Sequence, residues 1–542
     1  FGERVLANND DGSTLSTDLG TIIGELALLA DGGTVQRFRG IPFAQPPVGA
    51  WRWREPRPPT PFPGGRLNAT SWAPSCPNAP FGPAPLCRTC STRSNAPAMA
   101  NSEDCLHLNV LSPLAASPGS RLPVMVFVHG GGGFMGAAPP YSESSAFARH
   151  RTILVTVQYR LGALGWWAHP LLSAEQGGTS GNYAVMDMLA ALAWVRRRIG
   201  AFGGDAKRVM VFGQSFGGSA IHQLLLTPLA RGLFSAAVVH SAGLDLHFPA
   251  QQTVEAGAGA ALLAGLNCTS LACARGRAWE VVMDGAHGEM VAPNVNGRIA
   301  GAAFPLQPLA AIRAGRVNGV PAIFGHNAQE DAIGDYFSAR PFADFATALA
   351  SEAAVEAHVA RLLNATAPPP CSVAEAARKA RALLAEHYPV AGVDGYTRWQ
   401  SVRSDAGVAL GAWIWAREWA AADFSSRLYV YAGRAVGAPR MAPFGAMHLL
   451  DLTLLFNATG MIDRQGSAFS PSEASTGEQM AAQWTRMAAT GAPDARWAMC
   501  CDGPPNRTQA MVFSADGGAA LGTWHGDVVL SQLAPWEGYG FL

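Results

Sequence analysis

KRVMVFGQSFGGSAIHQLLL, residues 207–226, is the stretch on which the architecture turns. Val209 to Phe212 is a short apolar run, Gly213 and Gly217 flank Ser215 two residues to either side, and an alanine- and leucine-bearing segment follows. The pattern predicts a strand, a sharp turn and a helix. A serine in G-x-S-x-G at such a junction is a nucleophile elbow: the glycines permit a strained turn that lifts the hydroxyl above the sheet edge, where a substrate can reach it. The backbone N–H of Phe216, at the helix N-terminus, then points where an oxyanion would form. Taken alone, G-x-S-x-G also fits an ordinary glycine-rich connection. The chain on either side has to discriminate.

Upstream, Leu122 to Val128 (LPVMVFV) is a continuous apolar run of the buried parallel-strand type, and His129 and Gly130, Gly131, Gly132 and Gly133 follow at once. Consecutive glycines beyond a buried strand let backbone N–H groups turn inward without a Cβ in the way, as an oxyanion hole requires. Paired with the elbow, this HGGG-type loop signals ester hydrolysis. Thr152 to Tyr159 reads as the next strand and Ala184 to Ile199 as an amphipathic helix leading into the elbow strand. Strands alternating with helices predict a mainly parallel α/β sheet.

Downstream the elbow needs an acid and a base, in the order Ser, acid, His. Val320 to Phe324 is a short buried strand, and GHNAQED after it carries the adjacent carboxylates Glu330 and Asp331, either of which could orient a histidine. Arg427 to Tyr431 is strand-like, and a Gly/Pro loop leads on to His448. Ser215, Glu330 and His448 would then each lie beyond the carboxyl end of a strand, where open α/β sheets bind ligands. Spacing alone leaves His326 and His525 as competitors among the 13 histidines.

Composition sets the frame. With 542 residues, 49% hydrophobic and 14% charged, the chain can bury a large core and is not disordered. Its formal net charge of zero, without a long basic run, gives no nucleic acid or anionic membrane a target. No apolar stretch is long enough to cross a bilayer. Phe1 in place of Met, without an apolar leader, suits a processed form. The nine cysteines point to disulfides, because Cys87-x-x-Cys90 has no second pair at zinc spacing. Five N-x-[ST] sequons, at Asn68, Asn267, Asn364, Asn457 and Asn506, agree with the secretory route. Asn267 precedes a cysteine, which leaves the other four as the glycosylation candidates. The carboxyl end, GYGFL, is not an ER-retention signal, so an extracellular enzyme is expected. Residues 1 to about 35 read as hairpin strands. Phe38 to Trp53, punctuated by Pro and Gly, cannot be a helix and reads as a rigid surface loop.

Taken together these residues resemble the type-B carboxylesterase and cholinesterase family of α/β hydrolases over most of the chain. FRGIPFAQPPVGAWRW looks like the family's N-terminal signature, and NATSWAPSC with SEDCLHLNVLSP like its cysteine-bridged segment, His107 standing where an aromatic or threonine is more usual. HGGGGFMG, QYRLGALGW, SGNYAVMD, WVRRRIGAFGGD, GQSFGG, GHNAQED and HLLDLTLLF follow in family order. The resemblance implies one α/β-hydrolase domain over residues 1–542, a large mainly parallel sheet flanked by helices, with long loop insertions. It implies Ser215 as nucleophile, Glu330 as acid and His448 as base, and prefers His448 because an acidic residue, Asp451, and an apolar strand-like run from Leu452 to Phe456 follow it. Aligned without a gap, Gly131 and Gly132 take the oxyanion positions beside Phe216; a one-residue shift would give Gly132 and Gly133. Cys76 with Cys105 and Cys268 with Cys273 match the recurrent bridges. The other five cysteines fall outside that pattern.

Two departures sit beside the nucleophile. Gln214 replaces a familiar glutamate and removes a negative charge, and Phe216 replaces a small residue, so that its ring must be accommodated near the pocket. The loop from Cys76 to Cys105 contains no tryptophan for cation–π recognition of choline, which disfavours cholinesterase activity. It also lacks the amphipathic period of a lipase lid. The implied function is therefore a serine esterase acting on a small-molecule ester through an acyl-enzyme, needing no metal or organic cofactor. The alternatives are a lipase or sterol esterase for long-chain esters and a cholinesterase-like adhesion protein whose elbow Phe216 blocks.

Overall fold

The computed structural model describes residues 4–5, 13–29, 31–78, 100–285, 293–295, 302–337, 342–366, 372–388, 393–434, 441–458, 469–500, 509–514 and 518–523. Its main sheet is built from β1 (Arg4–Val5), β2 (Glu25–Leu28), β3 (Thr34–Pro42), β4 (His107–Pro113), β5 (Leu122–Val128), β6 (Ile153–Val157), β7 (Gly204–Gln214), β8 (Ala236–His240), β9 (Ala322–Asn327), β10 (Ser426–Tyr431), β11 (Gln509–Phe513) and β12 (Ala519–Thr523). Their order across the sheet is β1-β2-β3-β4-β6-β5-β7-β8-β9-β10-β11-β12. From β6 through β11 every neighbouring pair is parallel, whereas both flanks are antiparallel. The sheet is thus mixed, with a parallel centre.

The parallel centre follows from composition. Every residue of β5, β6, β8 and β9 is buried, as strands covered on both faces must be. One covering layer contains α1 (Tyr183–Arg198), α2 (Phe216–Leu226) and α3 (Leu410–Ala421), which share a core with Val124, Val126, Val209 and Val211. The other contains α4 (Leu450–Leu455) and α5 (Pro471–Thr490), packed with Met125, Phe127, Met210 and Phe212. Alternate side chains of one strand therefore supply the two cores. Helix α5 starts where its sequence instructs: Ser470 and Glu473 form a capping box, Pro471 occupies the first turn, and Gly491 ends it at φ 77°.

Parallel register brings the carboxyl ends together. Gly213 is level with Val128, Gln214 with His240, and His240 with Gly325, so the segments leaving β5, β7, β8 and β9 emerge side by side.

Two local expectations differ from what is observed. Phe38 to Pro42 is strand rather than surface loop, and Phe38, Ile41, Phe43 and Trp53 are buried; the Gly/Pro punctuation marks bends between core contacts, not exposure. Leu452 to Phe456 belongs to the short helix α4 and its C-cap rather than to a strand. A short apolar run does not specify its own period, and here packing against α5 and the sheet selects the helix. The N-terminal hairpins are as read, Thr14–Thr17 pairing with Gly20–Ile23 and β2 with β3.

Cys76 is bonded to Cys105 and Cys268 to Cys273, with Cα separations of 4.9 and 5.6 Å. Cys500 is also disulfide-bonded. Cys87, Cys90, Cys371 and Cys501 lie outside the described residues, as do Asn506 and His525. Asn68 and Asn267 are exposed, Asn457 is half-buried, and Asn364 lies within the helix Glu352–Thr366. Among the described residues no helix is long and apolar enough to cross a membrane.

Candidate active site

The turn from β7 to α2 carries Ser215 at φ 58° and ψ −128°. This is a backbone conformation that a residue with a Cβ adopts only under strain. The strain lies on the serine itself, not on its flanking glycines. Those are needed for space: a Cβ on Gly217 would strike the Val128 carbonyl, and one on Gly213 would strike that of Gly217. Ser215 is half-buried, and its own N–H is fastened to the His240 carbonyl at 3.0 Å.

The glycine loop lies directly against the elbow. A Cβ on Gly130 would come within 2.6 Å of the Gln214 carbonyl oxygen and 2.9 Å of the Ser215 Cβ. Gly131, Gly132 and Gly133 all have positive φ, at 110°, 62° and 75°. The Gly131 carbonyl accepts from Phe134 and Met135 N–H and the Gly133 carbonyl from Gly162 N–H, while the amides of Gly131, Gly132 and Gly133 donate to no backbone acceptor among the described residues. Phe216 N–H, first in its helix, also lacks an intrahelical acceptor. These unspent donors belong to the residue that follows the serine and to the loop that abuts it through Gly130. His129 anchors the loop, with its ring stacked on Tyr159 and Nδ1 2.8 Å from the Gly130 carbonyl. Burial pushes this imidazole down to about 4, so it stays neutral at neutral pH.

The acid and base come from two different loops stitched together by Gln329. Its N–H donates to the Ala446 carbonyl at 2.9 Å, and its side-chain oxygen accepts from Ala446 N–H at 2.8 Å. That joins the turn after β9 to the loop before α4. His448 Nδ1 is then 2.5 Å from Glu330 Oε2. Asn327 N–H donates to the other carboxylate oxygen, Oε1, at 2.5 Å. Because a carboxylate only accepts, Nδ1 carries the proton and Nε2 keeps its lone pair. Burial alone would depress His448, but the Glu330 charge and hydrogen bond, with Asp451 and Asp331 beyond, outweigh it and raise the imidazole above its ordinary 6.5.

Of the residues expected at the site, Glu330 and His448 are in direct contact, and Ser215 directly follows Gln214, whose side chain reaches the same imidazole. His326, a competitor for the base, lies in β9 with Nδ1 on the Asn327 carbonyl. The Phe216 ring packs edge-on against Trp166, at 5.4 Å between centroids and 80° between planes, so its added bulk is turned into the neighbouring core.

Two features had no signal in the sequence. First, Gln214 reaches His448: its Nε2 lies 3.0 Å from the histidine Nε2. Second, Asp451 anchors a buried network behind the acid. Asp451 accepts from Asn327 at 3.0 Å, from Tyr429 at 2.7 Å and from His240 Nδ1 at 3.0 Å, while Trp484 donates to His240 Nε2 at 2.8 Å. Burial opposes its charge, yet the His240, Asn327 and Tyr429 hydrogen bonds prevail and pull its carboxyl down to about 2.

A parallel-centred sheet with a strained serine elbow, unspent loop amides and a carboxylate-held imidazole defines an α/β hydrolase. Comparison with known proteins agrees. The profile of the Carboxylesterase family matches residues 11–517, and the chain belongs to that family. It is 47% identical over 214 residues to the fumonisin B1 esterase of Sphingopyxis macrogoltabida, covering 39% of this chain and 37% of that protein. To carboxylesterase 1C of Rattus norvegicus it is 35% identical over 323 residues, 58% of this chain and 57% of the relative. These matches thus span between about a third and three-fifths of the curated relatives' length. The crystal structure of a carboxylesterase from Geobacillus stearothermophilus superposes with a TM-score of 0.74 at 25% identity, covering 97% of this chain and 100% of the other.

Proposed function

We propose that this protein is a serine carboxylic-ester hydrolase acting on small-molecule esters through an acyl-enzyme on Ser215. The observation that carries the reading is one imidazole held between the Glu330 carboxylate and the elbow that presents Ser215. Neutral His448 accepts the Ser215 proton at Nε2 as the serine oxygen attacks the ester carbon, and the carbonyl π pair moves onto oxygen. Gly131, Gly132 and Phe216 N–H groups donate to that oxyanion. Glu330 holds the imidazole and stabilises it once charged. Collapse of the tetrahedral species breaks the ester C–O bond, and the leaving alkoxide takes the proton from His448. Water, deprotonated by the same nitrogen, then attacks the acyl carbon; the bond from that carbon to the Ser215 oxygen breaks, the carboxylic acid leaves, and the serine oxygen takes the proton back from His448.

Membership of the Carboxylesterase family supports this reading, as do relatives named as esterases. The packing of Phe216 on Trp166 favours a working elbow over the blocked one that an adhesion protein would carry. We read the chain as one domain of this fold. The two intact bridges and the exposed Asn68 sequon support an extracellular setting.

The test is hydrolysis of short-chain p-nitrophenyl esters by the wild type and by Ser215→Ala, with intact-mass detection of a fluorophosphonate adduct. Turnover and labelling that both vanish in the variant are expected. A folded wild type that neither turns over nor labels would remove the proposal.

A further inference from the structure

Gln214 is the last residue of β7, and its side chain is fully buried. Its Nε2 is 3.0 Å from His448 Nε2, the nitrogen that must accept the nucleophile's proton. With Glu330 on Nδ1, that nitrogen holds a lone pair, so the Gln214 amide N–H donates to it. The Ser215 hydroxyl, by contrast, has no hydrogen-bond partner among the described residues. In the free protein the base is therefore engaged by an amide rather than by the nucleophile. A second observation concerns the other end of the same group: Gln214 Oε1 is buried and unpartnered. An orphaned buried carbonyl is unfavourable unless another state uses it.

Proton transfer supplies that state. When His448 takes the serine proton, Nε2 becomes a donor and the amide N–H facing it becomes repulsive. A half-turn about the last side-chain torsion exchanges the two ends of the carboxamide and brings Oε1 to the new N–H. The carboxamide carries a donor and an acceptor on one planar group that this half-turn interchanges; an ionised glutamate here would accept alone.

We propose that Gln214 is a positioning residue for proton transfer, its amide donating to neutral His448 in the free protein and accepting from the imidazolium after the proton has moved. This rests on the reading of Ser215, Glu330 and His448 as the catalytic set. The charged groups facing His448 are Glu330 and Asp331 from the turn after β9 and Asp451 from α4; Arg403 lies behind Asp331, and His240 and Tyr429 behind Asp451. Gln214 is the neutral member of that set.

Two variants separate contact from role. Gln214→Glu places a carboxylate against Nε2 and is expected to move the acidic limb of kcat/KM upward by about one pH unit or more. Gln214→Met keeps the volume and removes both polar ends. Its kcat is expected to fall about tenfold with KM within about twofold, the loss of a hydrogen bond to a charged group formed only during reaction. A readout independent of turnover is carbethoxylation of His448 by diethyl pyrocarbonate, followed on its peptide by mass spectrometry. Gln214→Met should expose Nε2 and accelerate labelling several-fold at neutral pH, and Gln214→Glu should shift the labelling midpoint upward. If Gln214→Met labels and turns over as the wild type does, or the Gln214→Glu midpoints do not move, the proposal is overturned. If the wild type fails to hydrolyse esters while His448 labelling responds as expected, the catalytic reading fails and the Gln214 contact stands.

Discussion

His448 combines two opposing influences, burial that disfavours its charge and three carboxylates that favour it, and the carboxylates win. Since only the neutral imidazole can accept the Ser215 proton, activity should be lost as pH falls through a value above 6.5. A kcat/KM profile whose acidic midpoint lies below 6.5 would contradict this. Glu330→Gln removes the principal source of the rise, so its midpoint should move down in pH while the rate at pH 8 falls about 10³–10⁴-fold, as when the acid of such a triad is neutralised. Ser215 itself is strained at φ 58°. Relief of such strain is worth about 1–3 kcal/mol, against roughly 0.4–1 kcal/mol that glycine's freedom contributes to the unfolded chain. Ser215→Gly should therefore be more stable than Ser215→Ala by about 1 kcal/mol and unfold at a higher midpoint, with both inactive. Equal melting of the two would show that the elbow stores no strain.

At the scale of elements, Asp451 ties together four segments that share no local sequence. It lies in α4 and receives His240 from the end of β8, Tyr429 from β10 and Asn327 from β9, while Trp484 of α5 closes the network through His240. Its folded pKa of about 2 lies below the ordinary 3.8, so the unfolded chain binds the proton first as pH falls. The stability it contributes is present above about pH 4 and is lost as pH drops through about 2. Urea midpoints measured between pH 5 and 2 should fall less steeply for Asp451→Asn than for the wild type. Asp451→Ala, which abandons the three donors, should be destabilised by about 3–5 kcal/mol at neutral pH. Parallel slopes for wild type and Asp451→Asn would sink the assignment. The network was illegible beforehand because α4 reads as a strand from Leu452 to Phe456, and only its packing on α5 makes it a helix that turns Asp451 inward.

Across the whole molecule, the bridge from Cys76 to Cys105 closes a long segment, the two cysteines being 29 positions apart. Loop closure in the unfolded chain is then worth about 3–4 kcal/mol, so Cys76→Ala with Cys105→Ala should lower the unfolding free energy by about that amount. The bridge lies close to the glycine loop: the Asn78 side-chain oxygen accepts from Gly136 N–H at 2.6 Å. A double variant as stable as the wild type would mean that the unfolded chain gains no freedom from losing the bridge.

The sequence by itself determined those features whose cause is local. Backbone sterics put glycines at 213 and 217 and after His129, and covering on both faces makes β5 an unbroken apolar run, so elbow, oxyanion loop and parallel centre could all be read from short windows. Family order then named Glu330 and His448, although spacing alone does not distinguish His448 from His326. The tertiary structure alone decided which side chains meet. His448 and Glu330 are 118 positions apart and His448 and Gln214 are 234 apart, and these contacts depend on the parallel register that sets the ends of β7, β8 and β9 level. A departure such as Gln214 reads in sequence only as a lost charge. Its amide gains a partner because burial leaves no water to satisfy it and the fold sets the histidine nitrogen within 3.0 Å.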